Sequence, residues 1–218
     1  MTAFFRAPRQ RRLQRGAAAI EFTLAAAMAL LLALLAVETA RWQFTRQMAH
    51  LALVQAARAG STGHADPARM RAAFLRGLLP LYAGPGGTAG ARRRQASDLD
   101  RGAMLMGTTP WRIEILRPAR GAAAAAPAND TLALRLTYLY RPLLAPLRVL
   151  LAALATADGS YAGHAGVHGL APIGMELEME MHAHARDSPP ARPYPAGMVP
   201  GVCRRLHCPG MGALGQDQ

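Results

Sequence analysis

The amino-acid sequence predicts an α+β fold, in which a long N-terminal transmembrane helix extends into a small extracytoplasmic domain with about three antiparallel strands. Three observations lead to this prediction. The run 17–37 is strongly apolar and contains one charge, Glu21, and ~20 apolar residues are enough to span a bilayer core. Neither proline nor glycine follows until Gly60. Later segments change to an alternating, strand-like pattern.

The N-terminal residues set the orientation of the predicted span. Residues 1–16 form a basic leader that contains five of the chain's 25 basic residues, all of them arginine, and no acid. Positive charge stays on the cytoplasmic side, so we expect a cytoplasmic N-terminus and a periplasmic C-terminal domain. Residues 17–60 are predicted as one helix, half in the membrane and half outside it.

Glu21 is the one charged residue of the apolar run, and its presence there needs a functional explanation. A carboxylate in a membrane-spanning helix costs up to ~2.5–3.5 kcal/mol at mid-bilayer, and by default it marks a functional site with a partner. If the chain were cut after Gly16, a new ammonium would appear at Ala17, and Glu21 would be the fifth residue of the shortened chain. Such a carboxylate can pair with the terminal amine of a neighbouring helix.

The run Arg15-Gly16-Ala17-Ala18-Ala19-Ile20-Glu21-Phe22 resembles the processing site of type IV prepilins, and more closely that of the Flp and TadE-like branch. The resemblance implies cleavage after Gly16 by a prepilin peptidase, with Glu21 as the acid needed for processing or assembly and Phe22 as the aromatic residue beside it. It further implies a non-enzymatic minor component of a tight-adherence (Flp, type IVb) pilus or a related type II-like secretion system, in the bacterial inner membrane or in a surface pilus. The implied partners are other pilin-like subunits, the peptidase, an inner-membrane assembly platform and membrane lipid.

Residues 61–187 are predicted as the extracytoplasmic α+β domain. Asp66 and Pro67 are typical of a helix start. Alternating side chains predict strands over 111–116, 131–140 and 175–186. The stretch 83–90 reads as a loop, with a short helix from Gln95 to Met106, and the leucine-rich stretch 143–157 reads as a helix on the sheet or on the membrane surface. Residues 188–218, rich in proline and glycine, are expected to form a poorly ordered tail.

Several candidate sites are set against simpler explanations. Cys203 and Cys208 predict a short-loop disulfide if that end lies outside the cytoplasm, or else two free thiols. One face of the last predicted strand carries potential metal ligands, but ligands along one straight strand diverge, and we expect no metal. These ligands are Glu178, Glu180, His182 and His184. His164 and His168 fall in a glycine-rich segment that is predicted to be a mobile loop.

Other function classes find little support in the sequence. Of the net charge of +12, five charges lie in the leader and seven are spread over the rest of the chain, and no aromatic residues interleave with Arg92, Arg93 and Arg94, so we expect no nucleic-acid partner. No nucleophile motif or carboxylate pair indicates an enzyme, a cofactor or a small-molecule substrate. The alternative function is a signal-anchored periplasmic binding or metal-binding protein, for which the helix is a simple membrane tether.

Overall fold

The computed structural model describes residues 14–118, 130–183 and 194–208. The chain divides into two compact units, Met1–Arg41 and Trp42–Gln218, and each is described by itself. Most of the predicted leader, His184 and part of the predicted tail lie outside the described residues. The fold is α+β, as the sequence predicts.

Helix α1 spans Gln14–Thr62 and carries the apolar run. Its composition explains the length, since alanine and leucine are strong helix formers. The helix ends where Ala65 donates its backbone N–H to the Gly60 carbonyl at 2.9 Å, with left-handed backbone at His64 and Ala65. Among the described residues, one helix segment, Ala19–Thr62, is long and apolar enough to cross a membrane. The prediction of a long, continuous helix is confirmed.

Two further helices follow in the second unit. Helix α2 spans Pro67–Gly77, and its N-terminus is capped by the Asp66 side chain, which accepts from the N–H of Ala68 at 3.0 Å. A 3-10 turn over Leu79–Tyr82 leads to helix α3, Gly87–Met106. Helix α3 begins eight residues earlier than the sequence predicts, because Gly86 adopts left-handed backbone and the helix starts inside the predicted glycine-rich loop.

A four-stranded mixed sheet forms the centre of the second unit. Its strands are β1 (Trp111–Arg117), β2 (Thr131–Tyr140), β3 (Ala171–Glu180) and β4 (Met198–Pro200). The order is β3-β2-β1-β4, with antiparallel pairs except for β4, which runs parallel to β1. The prediction of three antiparallel strands is therefore right only in part, since β4 comes from the segment expected to be a tail.

The third strand is also displaced from its predicted position. It begins at Ala171 rather than Met175 and ends at Glu180, so His182 lies beyond it. Methionine and glutamate alternate between its two faces, as the predicted strand requires, but the alternating pattern in the sequence continues past the point where β2 can pair. Thr131, the first residue of β2, is the partner of Glu180, and this pairing sets the end of β3.

The main core lies between one sheet face and two helices. The C-terminal half of α1 contributes Leu53 and several alanines, and α2 contributes Met70 and Phe74. The Phe74 ring lies 4.8 Å from that of Trp111. Alternate positions of β1 and β2, which share one face, contribute six more buried members. They are Ile113, Ile115, Leu132, Leu134, Leu136 and Tyr138.

Two short helices lie between β2 and β3. Helix α4 spans Ala145–Leu154 and confirms the predicted helix in this leucine-rich stretch. Helix α5 spans Tyr161–Val167, where the sequence predicted a mobile loop. The Ser160 side chain caps α5 by accepting from the N–H of Gly163 at 2.9 Å, and this cap overcomes the weak helix propensity of the glycines. Tyr161 and Leu139 join a second buried cluster on the opposite sheet face.

Candidate functional site

The residues singled out for processing and assembly lie in the first turns of α1. Gly16 and Ala17 fall inside the helix, which begins at Gln14. Ala17 and Glu21 are four positions apart, so they lie on one face of the helix. A cut after Gly16 would remove three helical residues and leave Ala17 as the first residue of a shorter helix.

Glu21 and Phe22 belong to a helix surface that is fully exposed. Every residue from Ala19 to Val37 is exposed, and Phe22 retains 73% of its accessible surface. A helix that is apolar on all sides is typical of a membrane span or of a fully buried core helix. In the described residues this segment is not a buried core helix, because none of it is covered.

The polar side chains of this segment differ in how they are satisfied. Thr23 donates its hydroxyl to the Ile20 carbonyl at 2.8 Å, and Thr39 donates to Leu35 at 2.9 Å, so both are satisfied within the helix. Glu21 forms no hydrogen bond or ion pair with any described residue. The carboxylate is therefore the one ionisable side chain of the run 17–37, and it has no partner within the described chain.

A second polar site crosses the sheet on the face away from the main core. Glu114, Arg135 and Glu176 are directly opposite one another on β1, β2 and β3. Arg135 donates from Nε to Glu176 at 2.7 Å and from Nη1 to Glu114 at 3.3 Å. The hydrogen bond to Glu176 is the largest influence raising the pKa of Arg135. A neighbouring pair joins Arg117 to Glu178.

Arg112 holds the C-terminal segment, residues 203–206, against this face of the sheet. Its guanidinium donates to the carbonyls of Cys203 (3.2 Å), Arg205 (2.7 Å) and Leu206 (2.6 Å), and it lies 4.0 Å from the centre of the Tyr161 ring. Burial lowers the pKa of Arg112, while the nearby Tyr161 and Glu114 act in the opposite direction. The local sequence gives no signal for this role of Arg112, because its acceptors are about 90 residues away along the chain.

Cys203 and Cys208 are joined by a disulfide that closes this segment. The backbone N–H of Cys203 also donates to Glu114 at 3.3 Å. The closed loop thus presents its carbonyls to Arg112 and one N–H to Glu114. The whole arrangement is a structural clamp, since each polar group in it is used to hold the C-terminal segment against the sheet.

The other candidate ligands do not converge in the structure. Glu178 is paired with Arg117, and His182 lies past the end of β3. His164 on α5 and His168, the residue after α5, have ring centres 4.7 Å apart. Within the described ranges, no group of three or more His, Cys, Asp or Glu side chains is arranged to hold a metal ion.

No known protein family, curated protein or solved structure gave a significant match to the chain.

Proposed function

We propose that the chain is a non-enzymatic, minor pilin-like component of a tight-adherence pilus or a related type II-like secretion system. The observation that carries the proposal is the Glu21 carboxylate, which has no partner among the described residues and lies on an exposed apolar helix, four positions after Ala17. Its partners would be other pilin-like subunits, a prepilin peptidase, an inner-membrane assembly platform and membrane lipid.

Helix α1 supports the proposed placement in the membrane. The segment Ala19–Val37 exposes apolar side chains on every side. Exposure of this apolar surface is unfavourable in water but not in the hydrocarbon core of a bilayer. The arginines of the leader favour a cytoplasmic N-terminus, so the second unit would be periplasmic. A disulfide between Cys203 and Cys208 fits that side, because the periplasm is oxidising.

Cleavage after Gly16 would supply a positive partner for the Glu21 carboxylate, namely the new N-terminal amine of Ala17. Within one chain, positions four apart on a helix have Cβ atoms about 5–6 Å from each other, so the new amine at Ala17 is already near its own carboxylate. Between packed neighbours at ~4 Å, the attraction is about 4 kcal/mol at an effective dielectric of ~20, before desolvation is subtracted. Because the pair requires one axial offset, it also sets the register between subunits.

Intact-mass analysis of the membrane-extracted protein tests the processing step. We expect a chain that begins at Ala17. An intact chain that begins at Met1 would instead support the alternative, a periplasmic binding or metal-binding protein with α1 as a simple tether. A cut beyond Leu35 would indicate a secreted protein.

The substitution Glu21→Ala tests the assembly role. We expect the variant to insert normally, because it removes a charge from an apolar run, but to lose piliation and co-purification with other pilin-like subunits. A loss of only about 1.4 kcal/mol per contact reduces association tenfold. Thr23→Ala is the matched control, since the Thr23 hydroxyl is satisfied by its own helix. Normal piliation of Glu21→Ala would contradict the proposal.

A further inference from the structure

Helix α4 has an apolar face that points away from the protein. Its exposed residues after Ala145 follow the spacing i, i+3, i+4, i+7, i+8, which at 100° per residue is an arc of about 140°. This set, the α4 stripe, is Pro146, Val149, Leu150, Ala153 and Leu154. Val149 and Leu154 keep 70% and 73% of their accessible surface. A water-facing helix surface is usually polar, so the α4 stripe has the reverse of the expected pattern.

The orientation of α4 is fixed by its other face. Leu147, Arg148 and Leu151 are half-buried on the side where the helix packs against α5. The chain after α5 also approaches closely, since a Cβ at Gly169 would lie 2.7 Å from the carbonyl oxygen of Arg148. The α4 stripe is therefore held outward by packing.

The α4 stripe carries no charged or hydrogen-bonding side chain. The one charged residue of α4, Arg148, is half-buried on the packed face, opposite the stripe. The exposed charges nearest to the helix in the sequence are Arg141 before it and Asp158 after it, and they are of opposite sign. An uncharged apolar stripe on the surface of a chain that is proposed to be membrane-anchored matches the acyl-chain boundary of a bilayer.

We propose that α4 is a membrane-surface helix that inserts the α4 stripe into the interface of the bilayer. A stripe ~12 Å long on a helix ~10 Å wide covers roughly 120 Å², which is small beside the ~800 Å² per partner of a specific protein interface and favours lipid over a protein partner. A weak interfacial contact is sufficient if α1 anchors the same chain, because tethering raises the effective concentration. The inference rests on the membrane anchorage in the proposed function, and it is independent of cleavage and of Glu21.

Spin labelling of the full chain in vesicles of phosphatidylglycerol and phosphatidylethanolamine tests this contact. A nitroxide is attached to Leu150→Cys, and its collision rates with oxygen, which concentrates in lipid, and with a water-soluble nickel chelate are compared. The native cysteines, Cys203 and Cys208, are bonded to each other and do not take the label. Leu30→Cys in α1 is the lipid control, and Met104→Cys, 84% exposed on α3, is the aqueous control.

We expect the oxygen-to-nickel ratio at Leu150 to be several-fold higher than at Met104, and Leu154→Cys to repeat the result one turn later. A ratio at Leu150 equal to that at Met104, with Leu30 in lipid, overturns the inference and leaves the anchorage intact. If the label at Leu30 is as accessible to the nickel chelate as the label at Met104, both the inference about α4 and the membrane anchorage by α1 are wrong. Spin–spin broadening at Leu150 that grows with the protein-to-lipid ratio would assign the α4 stripe to a second copy of the chain and also overturns the inference.

Discussion

At the scale of single residues, Arg112 shows how a charged group becomes a structural element. It retains only 2% of its accessible surface, and burial disfavours its charged form. Three backbone carbonyls and the Tyr161 ring replace the lost water. Removing the guanidinium would leave these carbonyls without a donor in a place that water reaches poorly.

We therefore expect Arg112→Met to lower the free energy of unfolding by about 3 kcal/mol, since buried hydrogen bonds to a charged group are worth ~1.5–3 kcal/mol each and do not add fully. Denaturant unfolding of the detergent-solubilised chain, followed by tryptophan fluorescence, measures this change. The control is Arg101→Met, whose side chain is 66% exposed and pairs with Asp98 at 3.5 Å. A surface pair contributes only ~0–1 kcal/mol, so equal losses in the two variants would refute the clamp.

At the scale of elements, α1 and α2 approach closely because small residues line their contact. The buried positions of α1 include Ala49, Ala52 and Ala56. A Cβ at Gly77, the last residue of α2, would lie 2.7 Å from the Cα of Ala52. A backbone atom cannot rotate away, so any larger side chain at this position would push the helices apart.

Gly77→Ala is accordingly expected to destabilise the protein by about 1–2 kcal/mol. Overpacking costs ~1–3 kcal/mol and outweighs the helix propensity of up to ~1 kcal/mol that alanine gains. A fall in the thermal unfolding midpoint would show it. Gly174→Ala in β3 is the matched control, because a Cβ there meets nothing within 4 Å. An unchanged or raised midpoint for Gly77→Ala would mean that the helices are not held this closely.

The elements also show why some segments were predicted well and others were not. Strands β1 and β2 were recognised because alternation and burial coincide along them. Helix α5 was missed because its glycines favour a loop locally, while the Ser160 cap and the burial of Tyr161 stabilise the helix. The three residues of β4 have too short a pattern to be recognised, and they become a strand only because β1 offers a free edge.

At the scale of the second unit as a whole, buried tyrosines on both sheet faces couple stability to alkaline pH. Tyr138 belongs to the main core and Tyr161 to the second cluster, while Tyr82 donates to Asp98 at 3.0 Å. Burial is the largest cause that raises the pKa of each of these three phenols. The unfolded chain, in contrast, ionises its tyrosines near pH 10.

A phenol with a raised pKa contributes stability that is complete below about pH 10 and is lost as the pH rises above it, because only the unfolded state releases the proton. Each such tyrosine adds a slope of about 1.4 kcal/mol per pH unit. Unfolding free energies measured from pH 9 to 11 in the full chain should therefore fall above about pH 10. Tyr161→Phe should show a slope smaller by one tyrosine, and an unchanged slope would contradict the assignment.

The sequence by itself determined the long apolar helix, the spacing of Gly16, Ala17 and Glu21, the capped start of α2 and the faces of β1 and β2. These features depend on residues close together in the chain, where helical and strand periods can be read directly. Only the tertiary structure decided that β4 joins the sheet, that Arg112 clamps the disulfide-closed segment and that the α4 stripe points outward. Each of these requires knowing which distant residues become neighbours, and that follows from packing the whole second unit.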